Sequence, residues 1–481
     1  MCEWFLSFLS LAFLCSLAPS FSRALPLAFS ISTPEYSLYL LYLLSARSAR
    51  AHSLSRSLAL SLSRSPDPTP NLADCWQAMQ RDAAGDLQPD PDRFPSGMKH
   101  LADYLHARGL SLGVYTDYGT ETCMGRPGSY GHEVADARQF AAWGVDSLKM
   151  DGCYRPSNAS YDVGFPVSRV LPPSPRLRVL SLLLYAGIRW HVFQHSFTLC
   201  IPCTVAVTEH QAMAAALNAT GRPVLFSCSW PDYKRTGAGP GSLDAVNFTS
   251  LKAACNIWRI YNDIQDSWWH VLDIAKFWGE QQGVMAPAAG PGGFNDPDAL
   301  IIGQNNLGVA GMKLQMSLWV TMAAPLLIGA DLRSLSSDAK AVLQNPDVLR
   351  VADDRLAKQG IRVDNQTAGL SIWRRELEGG ELAVLLMNTL PSHANTHDPT
   401  ASAAYTFINN NGRHLGMGVP WHLLGWEEAE SRNLTVVDLW DGSKPCCLGV
   451  PPDPPAAPSA FAAFVPFGGC RFLRVSRVRR L

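Results

Sequence analysis

Between about residues 70 and 350 the sequence alternates short apolar runs with helical patterns, and each run ends in polar residues. The runs LSLGVYTD, VDSLKMDG, PVLFSCSW, IWRIYND and APLLIGAD are too short for helices and read as buried strands. Between them, Met98, Leu101, Ala102 and Leu105 recur at helical spacing, with Gly109 placed to close the helix. A second helix is predicted from His132 to Trp143, stopped by Gly144. Strands joined through helices run parallel. Polar residues at the C-terminal ends of parallel strands are what a (β/α)8 TIM barrel requires, because its active site opens at that face. After about residue 352 the runs GLSIWRRE, ELAVLLMN and LTVVDLWDGS are separated by turn residues and predict an antiparallel β domain. The basic end RFLRVSRVRRL reads as an exposed terminal strand. The expected organisation is a leader over 1–69, a catalytic α/β barrel over 70–351 and a C-terminal β-sandwich over 352–481.

Composition narrows the function. Hydrophobic residues are 47% of the 481 and charged residues 17%, which supports a large core and excludes disorder driven by charge. A formal charge of −1 argues against a nucleic-acid surface. The apolar run at 4–18 has signal-peptide length but a leading Glu3 and no basic residue, and it is short for a membrane span. With 12 Cys and sequons at Asn158, Asn218, Asn247, Asn365 and Asn433, it points to the secretory pathway: extracellular, vacuolar or lysosomal. Residues 19–69 are Leu-, Ser- and Arg-rich and of low complexity. Residues 166–209 break the strand–helix rhythm, are interrupted by Arg189 and His191, and are read as an insertion outside the barrel. Their Cys200-x-x-Cys203 pair lacks a second pair at metal spacing, so no metal is expected.

The candidate chemistry sits at strand ends. Asp151 ends the strand SLKM, and Asp263 is read as ending the strand WRIYN. Two carboxylates at neighbouring strand ends suit glycoside hydrolysis, one attacking the anomeric carbon and one protonating the leaving oxygen. Lys149, two residues before Asp151, points to the same face and favours its ionised form. Arg259, four residues before Asp263, is placed to serve likewise.

The text RDAAGDLQPDPDRFPSGMKHLADYLHARGLSLGVYTDYG, with LKMDGCY, LNATGRPVLFSCSWPDY, NDIQDSW, AGPGGFNDPDAL and LWVTMAAPLLIGADLRSLS, resembles glycoside hydrolase family 27. That family comprises lysosomal and plant α-galactosidases and α-N-acetylgalactosaminidases. The resemblance covers most of 73–165 and 210–362. It implies that Asp151 is the nucleophile and Asp263 the acid/base. It makes Lys149 and Arg259 similar to contacts of sugar hydroxyls, and Tyr115 similar to a pocket-wall residue. Asp74 matches the second of two adjacent acidic residues that grip the far hydroxyls of galactose. Ser229, Asp232 and Tyr233 match the loop that reads the substituent at sugar carbon 2. Cys123 with Cys153, and Cys228 with Cys255, resemble the family's disulfides. Asp266, Asp296 and Asp298 are expected to support these groups. The resemblance implies a retaining exo-enzyme acting on α-galactosides with neither metal nor organic cofactor, and it admits a homodimer.

Three departures stand out. Ala73 occupies the place of the first of the two adjacent acidic residues. Nothing in 1–72 resembles the family's first strand, which predicts a barrel one strand short. The 166–209 insertion separates segments that the family joins directly.

Overall fold

The computed structural model describes residues 71–155, 209–229, 231–232, 243, 246–304, 306–365, 369–390, 406–408, 414–426, 434–441 and 460–477. The leader, Tyr233 and all of the insertion except Glu209 lie outside them.

The first helix, α1 (Gly97–His106), buries Met98, Ala102 and Leu105 as its spacing predicts. It closes at Gly109, whose φ of 68° belongs to the left-handed region that glycine adopts without strain. The Gly109 N–H donates to His106 O and the Leu110 N–H to Leu105 O, which uses up the last carbonyls of the helix. Helix α2 (Glu133–Trp143) ends the same way at Gly144, φ 84°, with the Val145 N–H donating to Phe140 O.

Strands β1 (Gly113–Asp117), β2 (Ser147–Asp151), β3 (Leu225–Cys228), β4 (Ile257–Arg259) and β5 (Phe294–Asp296) form one parallel sheet in the order β1-β2-β3-β4-β5. The helices α2, α3 (Glu209–Ala219), α4 (Phe248–Ala254) and α5 (Trp268–Ala288) alternate with them, as parallel connections require. The β1 edge of the sheet carries one further parallel bridge, Asn71 to Gly113, and another parallel bridge, Leu300 to Ile328, lies just beyond the end of β5. Seven parallel segments therefore follow one another in chain order, and an eighth is not traced among the described residues.

Three strands differ from expectation. The run IWRIYND pairs only through Arg259, because its partner β5 is three residues long, so Asp263 lies on a loop four residues beyond the strand. The run APLLIGAD contributes only the bridge at Ile328. Strand β5 itself follows a glycine-rich stretch and shows no periodicity of its own.

Helix α6 (Gly308–Thr321) is buried on nearly every side over Leu314–Thr321, because both domains pack against it. The short helices α7 (Ser337–Leu343) and α8 (Pro346–Ala352) follow it. Next come β6 (Ile361–Asp364), β7 (Leu370–Glu376), β8 (Leu382–Asn388), β9 (Thr406–Ile408), β10 (His414–Pro420), β11 (Leu434–Asp438), β12 (Ala460–Pro466) and β13 (Gly469–Arg477). They make two antiparallel sheets, β11-β13-β8-β7-β6 and β12-β10-β9. Ile372, Val384, Leu386, Val419, Val436, Val465, Leu473 and Val475 share one apolar core, the interior of a β-sandwich.

The basic end does not form the exposed strand that its arginines predict. Strand β13 lies inside its sheet, paired with β11 on one side and β8 on the other. Both faces are covered: Cys470 and Phe472 join the main core, while Leu473 and Val475 join the sandwich core. Arg471 is accommodated by pairing with Asp438 at 2.7 Å and Asp441 at 3.2 Å.

Candidate active site

The parallel register brings the strand ends level. Asp117 pairs with Asp151, Tyr115 with Lys149, and Arg259 with Asp296. The Ser229 N–H donates to Met150 O, which sets Ser229 beside Asp151. Asp117, Asp151, Ser229, Arg259 and Asp296 thus form a row along the C-terminal edge of the sheet. Tyr115 and Lys149 stand two residues earlier on the same face.

Asp151 is held from several sides. The Tyr115 hydroxyl donates to its Oδ2 at 3.0 Å, the Lys149 Nζ lies 3.3 Å from the same oxygen, and the Gly152 N–H donates to Oδ1 at 3.0 Å. Burial would depress the Lys149 ammonium, but Asp151, Asp298 and Asp263 outweigh it and raise its pKa, so Lys149 stays charged. Burial and the charges of Asp151, Asp117 and Asp74 raise Tyr115 far above its ordinary value, which keeps its hydroxyl a donor.

The second carboxylate, Asp263, has a side chain 81% exposed. The Arg259 Nη2 donates to it at 2.8 Å and also lies 3.1 Å from Asp298 Oδ2. Asp298 in turn accepts from the Ile264 and Ala299 N–H groups, at 2.9 and 2.7 Å, and so braces the loop beside Asp263. Asp266 is bonded by Asn306, whose Nδ2 donates to its Oδ2 at 3.0 Å. The charges of Asp151 and, more weakly, Asp263 both favour the ammonium form of Lys149.

The two disulfides are present as the resemblance implies, Cys123–Cys153 and Cys228–Cys255. The first ties the loop after β1 to the turn after β2. Gly119 is required where these segments meet, since a Cβ there would lie 2.0 Å from Cys153 O. Among the described residues the one grouping of metal-ligand residue types is Asp117 with Cys123 and Cys153, and those sulfurs are bonded to each other. Asp74 accepts from the Thr122 hydroxyl at 2.8 Å and from the Met124 N–H at 2.9 Å, so it anchors the disulfide loop. Ser229 is buried, and Asp232 is half-buried just beyond the end of β3.

Asp117 is a buried strand-end carboxylate beside Asp151 that sequence reasoning did not single out. It ends VYTD as Asp151 ends LKMD, and that shared signature was the available signal. Burial, then the neighbouring Asp151, push its carboxyl up to about 8. Asp296 is pushed up to about 6 by burial, against the pull of Arg259. Asp298 goes the other way: burial resists ionisation, but Arg259 and Lys149 hold it below the usual carboxylate range.

These shifts fix a sign. An unfolded aspartate titrates near 3.8, so above that pH the folded chain retains protons on Asp296 and Asp117 that the unfolded chain has lost. Stability therefore falls as pH rises above about 3.8, with both groups contributing up to about 6 and Asp117 alone up to about 8, and levels off beyond. The Asp298 contribution has the opposite sign and is lost only in stronger acid. Calorimetry is expected to give a higher Tm at about pH 5 than at about pH 8.5. An equal or higher Tm at the alkaline pH would contradict these environments.

Known proteins share this architecture. A family profile described as "Alpha galactosidase A" matches residues 70–182 and 185–354, and one described as "Alpha galactosidase C-terminal beta sandwich domain" matches 367–475. The α-N-acetylgalactosaminidase of Gallus gallus is 41% identical over 319 residues, covering 66% of this chain and 66% of the relative. Alpha-galactosidase A of Homo sapiens is 39% identical over 317 residues, covering 66% of this chain and 62% of the relative. The chain spans about two thirds of the length of the curated relatives it matches. The crystal structure of α-galactosidase I from Mortierella vinacea matches with a TM-score of 0.61 at 22% identity, covering 85% of this chain and 88% of that one, a likeness of fold.

Proposed function

This chain belongs to glycoside hydrolase family 27, and on that premise we propose that it is a retaining exo-α-galactosidase that releases terminal α-linked galactose from oligosaccharides or glycolipids. The observation that carries the reading is the setting of Asp151: a carboxylate at the end of β2, gripped by Tyr115 and Lys149. In the proposed reaction Asp151 attacks the anomeric carbon and the glycosidic bond breaks, while Asp263 gives its proton to the departing oxygen. Water then attacks the same carbon, Asp263 takes its proton back, and the ester to Asp151 is cleaved. Two inversions give net retention. Lys149 and Arg259 bind sugar hydroxyls, and Asp74 grips the far side of the ring.

Hydrolysis of a chromogenic α-galactoside, with the first-formed anomer read by NMR, tests this directly. An inverted product would remove Asp151 from the nucleophile's role. Galactose binding without turnover would assign the chain to a lectin-like role, the reading that Ala73 favours.

The sugar is decided at carbon 2. In the family pattern a Ser after the Cys, with a small Ala three residues later, accompanies the N-acetyl sugar. Ser229 fits that pattern, whereas Asp232 fills the place of the small residue. A carboxylate there accepts a hydrogen bond from a 2-hydroxyl and crowds an acetamide methyl. Leaving it without that hydroxyl costs on the order of 1–3 kcal/mol. The expected result is a higher kcat/KM on the p-nitrophenyl α-galactoside than on its N-acetylgalactosaminide, with Asp232→Ala moving the ratio towards the N-acetyl sugar. A wild-type preference for the N-acetyl sugar would reverse the assignment.

We also infer entry into the secretory pathway. The two disulfides and the exposed sequon residues Asn218 and Asn247 support it. Among the described residues no helix is long and apolar enough to cross a membrane.

A further inference from the structure

We propose that Asp117 is a positioning residue for the nucleophile, clamping the turn after Asp151 to the loop after β1 and so fixing the direction in which the Asp151 carboxylate faces the sugar. The inference rests on the glycosidase reading for its kinetic consequence and on geometry for the clamp itself. Asp117 is fully buried. Its Oδ1 accepts the Gly119 N–H at 2.7 Å and its Oδ2 accepts the Cys153 N–H at 2.9 Å, one donor from each loop. Two consecutive amides of the turn are thereby committed, that of Gly152 to Asp151 and that of Cys153 to Asp117. The strand ends are stitched by backbone as well, the Tyr118 N–H donating to Asp151 O at 3.1 Å and the Ser129 N–H to Asp117 O at 2.8 Å.

A carboxylate kept only for stability would be expected to have a cationic partner, because burial of an unpaired charge is costly. Asp117 enters none of the salt bridges among the described residues. The titratable groups that face it are Asp151 on β2, Asp74 on the segment before α1, and Tyr115 on its own strand, so its surroundings are acidic or neutral. Nor is a clamp needed to keep the loops together, since the Cys123–Cys153 disulfide already joins them. What the carboxyl adds is the orientation of the peptide next to the nucleophile. With its pKa pushed up to about 8, it does so below that pH without placing a second negative charge beside Asp151.

The test is Asp117→Asn in the full chain. The amide keeps the size of the side chain and one acceptor, but turns an NH2 group against one of the two backbone donors. Misorientation of a reacting group predicts a fall in kcat of about 100-fold on an α-galactoside. The affinity for galactose by calorimetry should stay within about threefold, because ground-state contacts are made by other residues. Hydrogen exchange should show the amides of residues 152–154 losing about tenfold in protection while the rest of the parallel sheet is unchanged. A kcat within threefold of wild type, or unchanged protection at 152–154, overturns the proposal. So does a joint loss of kcat, galactose affinity and Tm, which is the signature of a merely structural residue. If the wild-type chain does not hydrolyse the galactoside, the functional reading fails, and the exchange measurement still decides whether Asp117 is the clamp.

Discussion

Asp151→Asn is expected to abolish turnover while leaving the fold in place. The amide is nearly isosteric and still accepts the Tyr115 hydroxyl, but it loses the charge that Lys149 neutralises and the lone pair that attacks carbon. Removal of a nucleophile typically costs roughly 10⁴-fold or more in kcat. The check is kcat on a chromogenic α-galactoside beside circular dichroism and Tm. Turnover near wild type in a folded variant would show that Asp151 is not the attacking group. The companion change Asp263→Ala has a different signature. Loss of a general acid costs roughly 10²–10⁴-fold, and the penalty should be heaviest on natural glycosides, whose leaving oxygen needs the proton most.

The largest expected effect on stability lies away from the reacting carboxylates. Arg81 forks onto Asp136, its Nη1 and Nη2 each donating to one carboxylate oxygen at 2.7 Å, and it also donates to Gly85 O and Gly128 O. The pair is nearly enclosed, with Arg81 12% and Asp136 0% exposed. Asp136→Ala would strand the guanidinium in the interior at a cost of about 3–5 kcal/mol, or a fall in Tm on the order of 10 °C. Gly128 and Ser129 carry the strain onward, since their N–H groups donate to Thr120 O and Asp117 O. Reduced activity of the surviving folded fraction should therefore accompany the fall. A shift in Tm of under about 2 °C would show that the fork is dispensable.

Much of this was legible in the sequence because it is local. The helix stops at Gly109 and Gly144 depend on a single left-handed residue each, and the strand bearing Lys149 and Asp151 announces itself by an apolar run. The family's motifs named the site residues, and the register then brought Tyr115, Lys149 and Asp151 within contact. What was not legible depends on partners distant in the chain. The loop position of Asp263 follows from the brevity of β5, which halts pairing at Arg259. The arginines of β13 suggested an outward-facing strand, but β11, β8 and helix α6 cover it. Asp117 and Asp151 carry the same strand-end signature, and only register and burial show which of them is enclosed and which is partly open.

The central place of β13 has a consequence for the order in which the chain can acquire its shape. During synthesis β8 emerges with its inner edge unpaired, and its permanent neighbour is not made until residues 389–468 have been added. At typical elongation rates that interval lasts several seconds, far longer than a hairpin needs to close. Throughout it, the apolar run Leu382–Met387 presents an open row of backbone donors and acceptors to any other nascent strand. The β domain is thus a late-folding unit whose vulnerable state is a waiting edge, and chaperone binding or strand exchange between chains should concentrate on that segment.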